Sequence, residues 1–127
     1  MLRCALVSAL AVAVAVPAAA QAPRQFPAKA LRGDVAFVQP PDVLLNGQPA
    51  RLAPGARIRG TDNMLRLPGS LTGQKLTVHY TIEATSGQLM DVWVLTPDEL
   101  RNRPWPTTPA QAQAWSFDPL AQKWTRP

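Results

Sequence analysis

The chain has 127 residues, with 13 Lys and Arg against 8 Asp and Glu, a formal net charge of +5, one histidine and one cysteine. That length supports one domain with a modest core, and a lone cysteine excludes a disulfide framework or a cysteine zinc site. The basic excess is mostly arginine; by itself it favours solubility and attraction to polyanions, and it names no site.

The first segment reads as an export leader. Met1-Leu2-Arg3, an apolar run from Ala5 to Val16, and Pro17-Ala18-Ala19-Ala20 before Gln21 are the charged start, apolar centre and small-residue cleavage site of a secretory signal peptide. Cleavage is expected after Ala20, because a cut after Ala22 would place Pro23 beside the scissile bond. The apolar run is shorter than the roughly 20 residues that span a bilayer, so no transmembrane segment is expected after cleavage. Cys4 lies ahead of the apolar run, where a lipoprotein would not carry its cysteine, and it leaves with the leader. The expected location is the periplasm or the exterior.

Residues 21–30, with Pro23 and Pro27, are expected to be an extended and weakly ordered lead-in. From 31 to 96 the sequence alternates in short apolar runs between turn signals such as Pro40-Pro41, Asn46-Gly47, Pro54-Gly55 and Ser86-Gly87. Such spacing predicts a sandwich or barrel. Gly33, Val35 and Phe37 form one face of a first strand. Asn46-Gly47 predicts a two-residue hairpin that pairs Val43 with Ala50 and Asp42 with Arg51. Pro54-Gly55 predicts a type II turn, followed by a strand carrying Ile58 on one face and Arg57 and Arg59 on the other. Met64 to Leu67 is a further short strand. In the next hairpin, a three-residue loop Thr85-Ser86-Gly87 sets Val78 against Val94, Tyr80 against Val92 and Ile82 against Met90, facing the core. His79 then opposes Trp93 on the outer face, and Thr81 opposes Asp91.

Residues 97–127 read differently. Thr96-Pro97-Asp98-Glu99 is a capping box with proline at the first helical position, and Thr108-Pro109-Ala110-Gln111 repeats that signature. Trp115 to Pro119 followed by Lys123-Trp124 predicts strand, turn and strand. The prolines and the large aromatics Trp105, Trp115, Phe117 and Trp124 predict either a wrap that closes the open end of the barrel or a recognition surface, since tryptophan is enriched at interaction hot spots. The fold expected is therefore mainly β: a small, partly open, OB-like barrel of five or six strands, with one or two short helices and a Pro/Trp-rich C-terminal wrap.

Three stretches, Leu44-Leu45-Asn46-Gly47, Pro54-Gly55-Ala56-Arg57-Ile58-Arg59 and Asp91-Val92-Trp93-Val94-Leu95-Thr96, carry a resemblance. On these, residues 26–127 resemble a family of uncharacterised exported betaproteobacterial proteins with a small OB-like barrel. The resemblance implies an envelope location and carries over no functional residue.

The chemistry is sparse. One histidine excludes two-histidine mechanisms and most histidine metal clusters. Ser70, Ser86 and Ser116 lie in no nucleophile elbow, and there is no phosphate loop, dinucleotide fingerprint or calcium loop. No cofactor, metal site or catalytic residue is assigned. The binding candidates are Arg57, Arg59 and Arg66, a basic stripe for an anionic partner, together with His79 and Trp93, an outer patch. The function expected is a non-catalytic binding or accessory protein of the cell envelope, whose partner is an envelope protein or anionic envelope polymer; export sets intracellular nucleic acid aside. The alternatives are a small hydrolase using His79 with Asp91 or Glu83, and a purely structural envelope component.

Overall fold

Strict alternation builds β1 (Leu31–Gln39), which turns Leu31, Gly33, Val35 and Phe37 inward and leaves Arg32, Asp34 and Ala36 half-buried on the other side. The structure is a computed structural model in which residues 10–13 and 23–127 are described. The expected leader, 1–20, lies outside the described residues apart from 10–13, which form no regular element.

The Asn46-Gly47 hairpin forms as its chemistry requires. Both residues take positive φ, 51° and 80°, and the loop joins β2 (Asp42–Leu45) to β3 (Gln48–Arg59) with Val43 opposite Ala50 and Asp42 opposite Arg51. Pro54-Gly55 does not reverse the chain. Gly55 has φ of 77°, but it sits inside the continuous strand β3, where the register against the next partner shifts between Leu52 and Arg57. A left-handed residue within a ladder makes a bulge and a bend. The bend lets the first half of β3 pair with β2 and the second half with a different strand. The strand expected over Met64 to Leu67 narrows to β4 (Leu65–Arg66), paired with the end of β3.

β5 (Lys75–Ile82) and β6 (Leu89–Val94) form the long hairpin. Val78 faces Val94, His79 faces Trp93 and Tyr80 faces Val92, all as expected. The register then changes, and Ile82 pairs with Leu89 instead of Met90. The cause is the loop: Glu83 N–H donates to Gln88 O at 2.8 Å, so Ala84 to Gly87 form the loop and the expected Thr85 to Gly87 loop is one residue too short. A bulge at Met90 and Asp91 opposite Thr81 absorbs the difference. Leu89 is therefore in the core, and Ile82 is exposed. Gly87 takes φ of 71°, the left-handed geometry expected of it.

Sheet order is β2-β1-β5-β6-β3-β4, and an additional β2–β3 pairing closes five strands into a barrel with β4 as an outer sixth. The β3–β6 pair is parallel; the other strand pairs of the barrel are antiparallel. This is a small OB-like barrel. Its interior holds Val35, Phe37, Val43, Ile58, Val78 and Val92 among other apolar side chains.

Helix α1 (Pro97–Arg101) begins at the capping box of Thr96 and Glu99. Helix α2 (Pro109–Ala114) is capped by Thr108, but its box is not reciprocal, since Gln111 Oε1 accepts from Thr107 N–H and not from its cap residue. β7 (Ser116–Asp118) and β8 (Lys123–Thr125) form the expected last hairpin. The wrap reaches the barrel core through Ala112 of α2, which packs against both hydrophobic clusters, while its aromatic side chains gather elsewhere. Phe26, Ala30, Leu95, Trp105 and Trp124 form a second core, with Trp93 packed against it, over the outer faces of β5 and β6. The lead-in belongs to this second core, so from Pro23 onward it is an ordered strap rather than a loose tail.

Candidate functional site

Cross-strand pairing places five side chains in one row on the outside of the barrel. Leu65 on β4 pairs with Arg59 on β3, Arg59 with Trp93 on β6, Trp93 with His79 on β5, and His79 with Arg32 on β1. Residues directly opposite on neighbouring strands share a face. Three of the five residues singled out from sequence, Arg59, His79 and Trp93, are therefore brought together. Arg57 joins them from the adjoining row, opposite Asp91.

The two ends of the row differ in environment. At the β5–β1 end the strap and the wrap cover it, and His79 is only 1% exposed. This corrects the expectation of a surface His79/Trp93 pair: the strand phase was right, but strand phase does not reveal a second layer. Trp105 stacks on His79 with ring centroids 4.1 Å apart, and Phe26 meets it edge-on at 4.4 Å. The Arg32 guanidinium approaches His79 Nε2 through Nε at 3.2 Å and Nη2 at 3.0 Å. A guanidinium only donates, so Nε2 must be the accepting nitrogen, and the ring is neutral with its proton on Nδ1. Nδ1 is buried with no hydrogen-bond partner. Burial, with the charges of Arg32 and Arg24 adding to it, pushes His79 down from 6.5 to about 2.

Arg32 also donates to the carbonyls of Glu99 and Asn102, at 2.9 Å each, which fastens the end of α1 to the barrel wall. Burial, then the charge of Arg103, lowers its pKa, against the opposing pull of Glu99. Arg24 in the strap donates to Glu99 Oε2 at 2.9 Å, to Gly60 O at 2.9 Å and to Val94 O at 2.7 Å. Burial acts to raise the Glu99 carboxyl, but the hydrogen bond from Arg24 and the Thr96 N–H outweigh it and hold the group low. A groove of about 670 Å³ runs along this strap, with His79, Glu99, Asp98 and Lys123 among its lining residues.

At the β3–β4 end the row is uncovered. Arg57 keeps 59% of its side chain exposed and is 3.2 Å from Asp91. Arg59 is half-buried and makes no ion pair among the described residues. Arg66 does not join the stripe. It lies opposite Ile58, on the other face of the ribbon, where its Nη2 donates to Asp62 Oδ2 at 2.6 Å. Alternation along β4 decides this, because Leu65 takes the outward position beside Arg59. The carboxylates considered for catalysis point elsewhere: Asp91 is bonded to Thr81 and Arg57, and Glu83 accepts from Thr85 in its loop. Among the described residues no three His, Cys, Asp or Glu side chains gather as a metal set.

Arg24, Phe26, Arg32 and Glu99 were not foreseen as a unit. The one local signal was the Thr96–Glu99 box, which fixes where the Glu99 carboxylate sits but not that an arginine from the far end of the chain reaches it.

The fold and this face define a small OB-like barrel whose outer wall is covered at one end by residues 23–30 and 97–127 and open at the other, with Arg57 and Arg59 on the open part. Comparison with protein-family models, curated proteins and solved structures finds no match.

Proposed function

We propose that the protein is a non-catalytic, exported binding or accessory protein of the cell envelope, which engages an anionic partner through the open half of the outer row. The observation that carries this reading is the pairing geometry of β3: Arg57 and Arg59 leave the same face, with Trp93 beside Arg59 and Asp91 the opposing carboxylate. Arginine guanidinium groups suit bidentate contact with phosphate, sulfate or carboxylate groups, and with Arg3 removed in the leader the remaining 12 Lys and Arg against 8 Asp and Glu leave a net charge of +4 that attracts such a partner at a distance. An anionic envelope polymer or an acidic envelope protein fits that chemistry. Export rests on the leader pattern of residues 1–20. The hydrolase alternative finds less support, since the lone pair on His79 Nε2 faces the Arg32 guanidinium and neither Asp91 nor Glu83 hydrogen-bonds to the imidazole.

Binding of the exported protein to immobilised heparin, as a soluble polyanion of defined charge, tests the reading. The double substitution Arg57→Gln/Arg59→Gln is expected to weaken binding roughly tenfold at low salt and to flatten its salt dependence. Its thermal melt should hardly move, because Arg57 is an exposed strand charge, of the kind that contributes under ~1 kcal/mol, and Arg59 makes no ion pair among the described residues. Ile58→Asp is the control for folding: Ile58 is 1% exposed, and an unpaired charge there should unfold the barrel. Equal binding by wild type and the double variant would reduce these arginines to a solvated face.

A further inference from the structure

The open end of the row carries more than charge. Met64 and Leu65 are each 63% exposed and Leu67 is 79% exposed, so three large apolar side chains leave the protein within one tight segment. β4 is the last strand of the sheet, with only β3 beside it. Leu65 stands on the same face as Arg59, and Arg57 follows one outward position back along β3. Moving inward from the rim, Leu65 comes first and the guanidinium groups follow one strand behind, at the roughly 4.8 Å spacing of paired strands. Exposed apolar clusters of this kind mark contact sites when they are contiguous and rimmed by polar groups.

We propose that the β3–β4 ribbon is a membrane-contact element, seating Leu65, with the exposed Met64 and Leu67 flanking it along the chain, at the acyl boundary of an anionic lipid bilayer while Arg57 and Arg59 meet its headgroup phosphates. This inference rests on the anionic-partner reading and names the partner's class. The charge pattern selects the bilayer. An interface with lipid presents apolar depth below a layer of phosphate, and interfacial segments match it with an apolar face buried beneath cationic side chains. The ribbon reproduces that order across two strands. Arg66 does not take part; its guanidinium is held by Asp62 on the opposite face. No helix of the described residues is long and apolar enough to cross a membrane, so the contact proposed is with a surface.

The test is co-sedimentation of the exported protein with vesicles of phosphatidylglycerol and phosphatidylethanolamine, against vesicles of phosphatidylcholine, with heparin binding measured in parallel. Wild type should bind the anionic vesicles and hardly bind the zwitterionic ones. The triple variant Met64→Ser/Leu65→Ser/Leu67→Ser should lose roughly tenfold or more in vesicle affinity while keeping its heparin binding, whereas Arg57→Gln/Arg59→Gln should lose both. Should the triple variant melt early, Leu67→Ser alone serves, because that side chain is the most exposed of the three. Leu65→Cys carrying an environment-sensitive dye should shift to the blue on anionic vesicles. Absence of vesicle binding by wild type, undiminished binding by the serine variants, or a patch that sediments as a dimer of this chain would each overturn the membrane inference. Heparin binding without vesicle binding leaves the anionic-partner reading standing, and loss of both defeats the two together.

Discussion

His79 shows how far a single side chain's role depends on what covers it. Its neutral ring is stacked under Trp105 and hydrogen-bonded by Arg32, and protonation would set two cationic groups against each other in a buried space. In the unfolded chain the imidazole titrates near 6.5, whereas folding pushes it down to about 2. Between those values the unfolded state holds the extra proton, so stability rises with pH across the window. The contribution is complete above pH 6.5 and is lost progressively as pH falls towards 2, amounting to about 2 kcal/mol by pH 5. Urea midpoints at pH 8, 6.5 and 5 should therefore decline for wild type. They should stay nearly level for His79→Gln, whose side-chain oxygen can still accept from Arg32. The Glu99 carboxyl, held low, loses its share only below its ordinary value of 4.5, so the two effects separate by pH. A wild-type midpoint that does not change from pH 8 to 5 would contradict the enclosed, neutral ring.

Among elements, the strap from Pro23 to Ala30 does work that its composition hides. Its prolines do exclude it from the sheet, as the sequence suggested. Yet Arg24 ties together α1, the end of β3 and β6, and the Phe26 N–H donates to Gln122 Oε1 at 2.9 Å between β7 and β8. The Arg24 and Glu99 side chains are 11% and 17% exposed, and removing one partner of so enclosed a pair leaves the other charge stranded. Arg24→Gln is expected to cost about 3 kcal/mol, read from urea denaturation. Hydrogen exchange in α1 and β8 should accelerate more than exchange in β5, because the barrel keeps its own core. Uniform acceleration would mean that strap, wrap and barrel open as one unit.

For the whole molecule, the proposed export and the fold meet at the start of the strap. The expected cut after Ala20 leaves only Gln21, Ala22 and Pro23 ahead of Arg24, so cleavage and strap docking involve neighbouring residues. Intact-mass measurement of the exported protein should give a chain beginning at Gln21 and lacking Cys4, and the protein should accordingly fail to react with a thiol reagent. A mature species that retains Met1 or Cys4 would defeat the export argument and, with it, the choice of an envelope partner.

Sequence alone determined what depends on neighbours along the chain. The left-handed pair Asn46-Gly47 fixed one hairpin, alternation along β1 and along β5 and β6 between Val78–Tyr80 and Val92–Val94 fixed which side chains share a face, and Thr96 and Thr108 fixed where both helices begin. Those are local facts, settled by φ preference, side-chain period and cap chemistry. Tertiary structure decided the rest. The bend at Gly55 became a bulge because β3 had two partners to serve, and the one-residue slip at Met90 followed from a loop whose closing hydrogen bond periodicity cannot count. Arg66 left the stripe because Leu65 took the outward place beside Arg59. His79 went from surface to interior because Arg32, 47 positions away, and the aromatic wrap closed over it. A strand's pattern states which way a residue points; whether water or another layer waits there depends on segments distant in sequence, and only packing brings them together.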